Sequence, residues 1–458
     1  MAKPPNILLV VMDTARADHL SCYGYPRQTT PALDALAGEG TLFENACTPA
    51  GWTLPAHASL FTSLYPSAHG LNRVGDRLAE GVPTVAERLA RLGYRTVGIT
   101  NNAFIGKLSG LCRGFETFIE PTAPLSGVRP AIVRKAGRRL HRLLFGQRWD
   151  IGASRTAALA LRQMAAGGKR DRRPFFMFLN FMEPHQTYGA PASYRLMFVD
   201  GDRERAEAIP QDVAGFLTRA FTLSEEELAL LRGLYDGQLR YLDLHLGEML
   251  ARMRRLGLLD ETVVVITSDH GENLGEHGLM GHLFSLHETI LRVPLIVRHP
   301  AAFAAGARSQ QPINLVDVAP TLLELAGAAP DPTLQGRSFA QEPEVPGRAS
   351  IAEYINPQLD LLRRRFPAFD CSVYDRELRA IRQGRFKLIW SSRGDHALHD
   401  LSRDPGEREN LIESHPEVAG RLAGELAAWA AALTPAASAR GGDIDRETIE
   451  RLSGLGYI

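Results

Sequence analysis

Two continuous apolar runs, far apart in the chain, each lead into an acidic residue. The first covers residues 7–12 and is followed by Asp13, and the second covers residues 263–267 and leads to Asp269 and His270. Runs without polar alternation are typical of strands buried on both faces of a parallel sheet. In open sheets of this kind, ligands bind beyond the carboxyl ends of the strands. We therefore expect an α/β fold in which these three side chains meet at one sheet edge.

Helix-like and strand-like segments alternate along residues 1–328, as expected for a mainly parallel sheet with helical crossovers. Amphipathic helices are predicted at residues 31–40, 82–92, 224–257 and 317–325, and further strands at 41–46, 94–100, 175–181 and 293–298. With 458 residues and 45% hydrophobic content, the chain can bury a large core. These features predict one large α/β domain.

A segment rich in Pro, Gly and acidic residues, 329–348, is predicted to be a linker. Beyond it, short strands are predicted at residues 350–354, 378–381, 386–390 and 397–400, and a helix at 416–433. This pattern predicts a small C-terminal α+β domain at residues 349–435, followed by a tail at 436–458.

The composition argues against several kinds of partner. The formal net charge is zero, which argues against a general nucleic-acid binder or membrane binder. The four Cys residues are scattered, so neither a disulfide framework nor zinc-knuckle spacing is predicted. The N-terminal segment has no signal-peptide pattern and no apolar run long enough to span a membrane, which predicts a cytoplasmic location. The oligomeric state is not predicted.

One segment, residues 129–148, departs from this charge balance, because it contains seven Lys or Arg residues and no Asp or Glu. Apolar residues between the basic ones predict a basic amphipathic helix within an insertion at about residues 120–150. Such a helix could make peripheral contact with an anionic membrane surface or bind an acidic lipid or glycan substrate. A solvated insertion over the core explains the same pattern, and the sequence leaves both interpretations open.

The stretch GWTLPAHASLFTSLYPSAHG, residues 51–70, places one hydroxyl at the start of a predicted helix. Pro55 fits the first turn, and apolar residues then recur at helical spacing. Thr53 is therefore the N-cap or its neighbour, in a positive field that favours phosphate or sulfate groups. Because Thr is a common cap, the pattern is also explained without a ligand.

Several motifs occur in a recognisable order along most of the chain. They are PNILLVVMD, Thr53-x-Pro55-x-His57 followed by Thr62, Glu183-Pro184-His185, Ser268-Asp269-His270-Gly271-Glu272, RVPLIV, GRFKLIW and LHDLSRDPGERENL. In this order they resemble the sulfatase branch of the alkaline phosphatase superfamily. The resemblance implies an alkaline-phosphatase-like three-layer α/β/α fold, a small C-terminal domain and metal-dependent ester chemistry.

The chain departs from the family's C/S-x-P-x-R signature, whose Cys or Ser is converted to formylglycine. The tripeptide Cys47-Thr48-Pro49 imitates its start, but Gly51 stands where Arg is required. When the signature is aligned on Pro55 instead, Thr53 takes the nucleophile position and His57 takes the Arg position. We prefer this register because the predicted helix then follows the signature. Since Thr cannot become formylglycine, the departure favours phosphoryl over sulfate chemistry. The Cys of the imitated signature is then a small packed residue.

The resemblance suggests further site residues. Asn102 stands in a pair of Asn residues where classical sulfatases carry the Lys and His that hold sulfate. Its amide and His57 are predicted to contact the substrate, although a turn-capping Asn is the alternative. His185 takes the place of a family His that faces the leaving group, and we expect it to be the general acid. His282 lies where sulfatases place a substrate-contacting Lys, and it is predicted to protonate or clamp the substrate, or to join His185 in a second metal site.

The resemblance also implies one divalent cation, held by Asp13, Asp269 and His270 with Thr53 as a further ligand. Sulfatases often carry Asn where this chain has His270, and they bind calcium. An imidazole ligand shifts the expected metal toward manganese or zinc. Phosphonate monoester hydrolases, which this chain also resembles, likewise carry Asp-His and favour divalent transition metals.

Three functions remain open from the sequence. The first is a metal-dependent hydrolase or transferase acting on phosphodiester, phosphomonoester or phosphonate bonds, which Thr53 favours. The second is a sulfuric ester hydrolase, which the family likeness favours. The third is a non-catalytic binding protein of the same fold, which is opposed by the joint retention of Asp13, Thr53, His185, Asp269 and His270. The expected substrate is a small-molecule, lipid or glycan ester.

Overall fold

A central sheet of eight strands organises the computed structural model, which describes residues 4–121, 152–340, 347–436 and 439–440. In chain order the strands are β1 (Asn6–Met12), β2 (Thr41–Cys47), β3 (Arg95–Thr100), β4 (Thr117–Ile119), β5 (Phe175–Phe181), β6 (Thr262–Thr267), β7 (Leu295–Arg298) and β8 (Ala307–Asn314). Their order across the sheet is β8-β2-β7-β6-β1-β5-β3-β4. The pairings are parallel except those of β7, which runs against β2 and β6.

Helices cover both faces of this sheet. The α-helices of the described residues, including those beyond the central sheet, are in chain order α1 (Pro31–Gly38), α2 (Thr53–Thr62), α3 (Pro66–His69), α4 (Val85–Arg91), α5 (Ala153–Arg170), α6 (Ala192–Arg195), α7 (Arg203–Ala208), α8 (Val213–Leu217), α9 (Glu225–Arg255), α10 (Glu288–Leu291), α11 (Val318–Leu325), α12 (Asp360–Arg365) and α13 (Pro416–Ala432). Alternate residues of β1 point into two different apolar clusters. One cluster includes residues of α2, α4 and α11, and the other includes residues of α1, α5 and α9. The predicted three-layer α/β/α fold with a mainly parallel sheet is therefore confirmed.

A second sheet follows near the C-terminus. Its strands are β9 (Ser350–Tyr354), β10 (Leu378–Gln383), β11 (Phe386–Ser391) and β12 (Ala397–Asp400), paired antiparallel in that order. Leu422 and Leu426 of α13 join the apolar cluster of this sheet. The predicted small α+β unit is thus present, while the exact domain limits stay predictions.

Several elements were not predicted from the sequence, among them the edge strand β8 and the long helix α5. β8 is a largely polar edge strand with many half-exposed residues, so no apolar run indicates it. α5 buries mainly small alanines, which give a weak apolar pattern. The basic segment 129–148 and most of the predicted tail lie outside the described residues. In the part of the chain that is described, none of the helices is both long enough and apolar enough to cross a membrane.

A fully buried lysine connects the small sheet to the main domain. Nζ of Lys387, on β11, lies 2.9 Å from Oε1 of Glu288 and 2.8 Å from Oε1 of Glu407. Arg382 also pairs with Glu288, at 3.1 Å. The other oxygen of Glu407 accepts a hydrogen bond of 2.6 Å from the backbone N–H of Glu288, at the start of α10. Removing one of these charges would therefore leave a buried charge without its partner.

We expect Lys387→Met to lower the free energy of unfolding by about 3–5 kcal/mol, because buried Glu407 loses its cation and Glu288 keeps only Arg382. Urea unfolding of the full chain measures this change. Arg421→Ala is the matched control, because Arg421 pairs with Glu425 at a half-exposed surface position. Surface pairs contribute about 0–1 kcal/mol. Equal destabilisation by the two variants would contradict the importance assigned to the buried lysine.

Candidate active site

Asp13 and Asp269 stand close together at the carboxyl edge of the central sheet. β1 and β6 are adjacent and parallel, with Val11 opposite Thr267, so the chain leaves both strands at the same edge. Both carboxylates are fully buried. With His270 they form a group whose candidate ligand atoms all lie within 4.8 Å of one another. The structure therefore brings together the three residues predicted to hold a cation.

The two carboxylates are incompletely satisfied by hydrogen bonds. The backbone N–H groups of Thr14 and His270 donate to Oδ1 of Asp269 at 3.3 and 3.0 Å, and Asn102 donates to Oδ2 of Asp13 at 2.8 Å. In the described structure, Oδ1 of Asp13 and Oδ2 of Asp269 have no hydrogen-bond partner. Burial raises the pKa of each carboxyl group to about 7. Because a buried pair of this kind needs a positive partner and oxygen is a common metal ligand, the group fits a divalent cation.

Thr53 directs its hydroxyl at His270. Oγ1 of Thr53 lies 3.2 Å from Nε2 of the ring. The other ring nitrogen, Nδ1, lies 2.9 Å from the carbonyl oxygen of Gly271 and must donate a hydrogen bond to it. Burial lowers the pKa of His270, which favours the neutral ring. Nε2 therefore carries a lone pair that can accept the hydroxyl proton or bind a cation.

The hydroxyl of Thr53 also lies at the start of α2. Trp52 is the cap, in an extended conformation with φ −154° and ψ 165°, and Thr53 is the first residue of the ten-residue helix. The sequence predicted that Thr53 is either the cap or its neighbour, and the structure shows that it is the neighbour. All residues of α2 are buried, so the helix presents its positive end inside the protein.

His57 places a neutral ring beside Thr53 and Asp269. Its Nδ1 lies 2.9 Å from the carbonyl oxygen of Thr53 and 3.4 Å from Oδ2 of Asp269. The ring packs edge-on against Phe61 and Phe178. Burial lowers the pKa of His57 to about 3. The ring therefore supports the start of α2 without supplying a cation, and its contact with substrate stays a prediction.

Asn102 orients one of the two carboxylates. Besides donating to Asp13, it accepts a hydrogen bond of 3.0 Å from the backbone N–H of Phe104 through Oδ1. The side chain is completely buried. Asn102 therefore positions the carboxylate of Asp13, a contact that was not predicted from the sequence. Its predicted contact with substrate stays a prediction.

Three imidazoles lie in series beside the carboxylates. The ring centroids of His270 and His282 are 4.6 Å apart, and those of His282 and His185 are 5.3 Å apart. Nδ1 of His185 lies 2.6 Å from the carbonyl oxygen of Gln186 and donates a hydrogen bond to it. Burial lowers the pKa of His282 well below its ordinary value. Both residues predicted to act as acids are therefore adjacent to the candidate metal ligands.

Glu272 is a buried carboxylate to which sequence reasoning gave no role. Its Oε2 accepts hydrogen bonds from the hydroxyls of Tyr188 at 2.8 Å and Thr14 at 3.4 Å, and its Oε1 lies 3.5 Å from Nδ1 of His282. Burial raises the pKa of Glu272. The only available signal was its place in the motif after His270. Tyr188 lies in a loop without a motif, so no pattern indicated its contact.

Two family models match the chain. The model described as Sulfatase matches residues 5–328, and the model described as N-sulphoglucosamine sulphohydrolase, C-terminal, matches residues 275–431. The chain is 29% identical over 445 residues to a choline-sulfatase of Rhizobium meliloti (strain 1021), covering 90% of this chain and 83% of the relative. It is 27% identical over 395 residues to the multifunctional alkaline phosphatase superfamily protein PehA of Trinickia caryophylli, covering 73% of this chain and 76% of that relative.

A solved structure shows the same fold. The phosphonate monoester hydrolase of Agrobacterium radiobacter aligns with a TM-score of 0.72 and 24% identity, over 93% of this chain and 95% of that one. The first family model, which matches residues 5–328, covers more than half of the chain. The chain therefore belongs to the sulfatase family of the alkaline phosphatase superfamily.

Proposed function

We propose that this sulfatase-fold hydrolase acts on phosphoester bonds, as a hydrolase or a transferase, with Thr53 as its nucleophile. The observation that carries the proposal is the Thr53 hydroxyl, 3.2 Å from Nε2 of His270 at the start of α2. Formylglycine is made from Cys or Ser, so Thr53 cannot provide the aldehyde on which sulfatase turnover depends. An unmodified hydroxyl can attack phosphorus directly when it is activated.

Asp13, Asp269 and His270 would hold one divalent cation, with Thr53 as a further ligand. A mixed set of carboxylates and imidazole favours manganese or zinc over calcium. When bound, such a cation lowers the pKa of a hydroxyl that it contacts. A second cation near His185 and His282 stays a prediction from the sequence.

The remaining steps use the chain's own side chains. Oγ1 of Thr53 loses its proton to water and forms the Oγ1–P bond, while the bond from phosphorus to the departing oxygen breaks and that oxygen takes a proton. We assign this proton to Nε2 of His185, with His282 as the neighbouring imidazole, because Nδ1 of His185 is already committed to Gln186. The start of α2 stabilises negative charge on the phosphoryl oxygens. Water or an acceptor alcohol then breaks the Oγ1–P bond and releases the group.

A sulfuric ester hydrolase is the second candidate. The name of the choline-sulfatase relative favours it, whereas the phosphonate monoester hydrolase of the same fold favours phosphorus. We favour phosphoesters because the proposed nucleophile, Thr53, cannot form the aldehyde of sulfatases. A non-catalytic role is opposed by the close grouping of Asp13, Thr53, Asp269 and His270.

We expect Thr53→Ala to lower kcat on an aryl phosphodiester by about 10³-fold or more, because the nucleophile is removed. Thr53→Ser should retain activity, because it keeps the hydroxyl. Thr62→Ala is the matched control, since Thr62 is a buried Thr on the same helix whose hydroxyl bonds to the carbonyl of Ala58. Turnover is measured on aryl phosphate, phosphodiester, phosphonate and sulfate esters with manganese, zinc or calcium.

Two outcomes of this assay would contradict the proposal. Full phosphodiesterase activity in Thr53→Ala would remove Thr53 from the reaction. Dominant turnover of the sulfate ester would show that this site cleaves sulfate without formylglycine.

Metal removal should affect stability through Asp13. Its pKa is about 7 in the fold and 3.8 in its ordinary state, so the unfolded chain loses this proton at lower pH. The metal-free fold therefore loses stability as the pH rises through this interval. At mildly alkaline pH we expect metal-free Asp13→Asn to unfold at a higher temperature than metal-free wild type, and to lose most of the increase in Tm that manganese gives the wild type.

The matched control for this experiment is Asp243→Asn. Asp243 is another buried carboxylate with a raised pKa, of about 6, but it accepts hydrogen bonds from the backbone of Ala32 and Leu33. This variant should keep the full increase in Tm on adding manganese. An undiminished increase in Asp13→Asn would show that Asp13 is not a metal ligand.

A further inference from the structure

A cleft with about 430 Å³ of empty space, part of which is open solvent, has His185 and His282 in its wall. The rest of its wall comes from α8 and α12, which are far apart in the chain, and from the residues beside the two imidazoles. We call it the α8–α12 cavity. Its larger apolar side chains are Val213, Leu217, Leu283, Leu361 and Leu362.

The wall of the α8–α12 cavity lacks Lys, Arg, Asp and Glu among its described lining residues. Apart from the two imidazoles, its polar side chains are the amides of Gln186 and Gln358. A sugar or an anionic group placed here would lose hydrogen bonds to water and find few replacements. An apolar group would gain free energy by leaving water. The chemistry of the wall therefore selects apolar groups.

The two sides of the cavity are joined without a ligand. Arg365, at the end of α12, makes two hydrogen bonds of 2.9 and 2.6 Å to the carboxylate of Asp212, just before α8. The hydroxyl of Tyr374 donates to the carbonyl oxygen of Leu217 at 3.1 Å. Because α8 and α12 are already held together, ligand binding does not incur a free-energy cost for ordering them.

We propose that the α8–α12 cavity binds the departing alcohol of the ester, and that this alcohol is an aryl or branched alkyl group rather than a sugar or polyol. The inference rests on the proposed function, in which His185 faces the departing oxygen. His185 and the apolar side chains belong to the same wall, so an alcohol whose oxygen meets the imidazole has its carbon skeleton against the leucines. The cavity thus determines which esters are good substrates.

Paired phosphodiesters that differ only in the departing alcohol test this inference. Benzyl and 2-methoxyethyl alcohols have similar acidity but differ in polarity. With the metal-loaded full chain, we expect kcat/KM to be about 10- to 100-fold higher for the benzyl ester, as burial of a phenyl ring would give. The same pair is prepared as sulfate esters, and binding of 2-naphthol is measured by fluorescence.

Leu361→Gln places an amide in the cavity wall. We expect it to lower the benzyl preference and the affinity for 2-naphthol by about fivefold or more, because a polar group replaces apolar contact. Leu92→Gln is the matched control, because Leu92 is 42% exposed and does not line the cavity. It should leave both quantities unchanged.

The outcomes separate this inference from the proposed function. Equal kcat/KM for the two alcohols, or 2-naphthol binding that Leu361→Gln does not weaken, would overturn the inference while leaving the phosphoester proposal intact. Turnover of sulfate esters alone would overturn the phosphoester proposal, and a benzyl preference among them would still support the cavity. If neither ester is turned over, loss of 2-naphthol binding in Leu361→Gln supports the inference and unchanged binding overturns it.

Discussion

Two carboxylates buried together at one sheet edge are the constraint on which the site depends. Asp13 and Asp269 are brought together by adjacent parallel strands, and burial disfavours the charged form of both. The surrounding groups offset this cost only in part, through Asn102 and two backbone N–H groups. Because one oxygen of each carboxylate is left without a hydrogen-bond partner, this edge accommodates protons or a cation.

The site has few fixed positive charges. His57, Asn102 and His282 supply no fixed positive charge here, because an amide is neutral and burial lowers the pKa of both imidazoles. The positive field at the hydroxyl of Thr53 therefore comes mainly from the start of α2 and from any bound cation. Among phosphoesters, the singly charged diesters demand the least compensation from such a site.

Much of the fold followed from the sequence, because burial on both faces leaves a clear pattern. The runs that became β1 and β6 showed where each strand ends, and the ends of parallel strands placed Asp13 and Asp269 together. β8 could not be predicted in this way, because an edge strand need not be apolar. The contact of Asn102 with Asp13, and that of Tyr188 with Glu272, join segments distant in the chain, and no local periodicity encodes them.

The buried Lys387 affects the site as well as the stability of the small sheet. It holds Glu288 at the start of α10, and the same short helix accepts a hydrogen bond of 2.8 Å from the backbone N–H of Gly271 through the carbonyl oxygen of Ile290. The loop that carries His270 is therefore supported by the C-terminal sheet. The two units are consequently poor candidates for modular exchange. A chimera of two relatives would keep this support only if both halves preserved the matching charges at their junction.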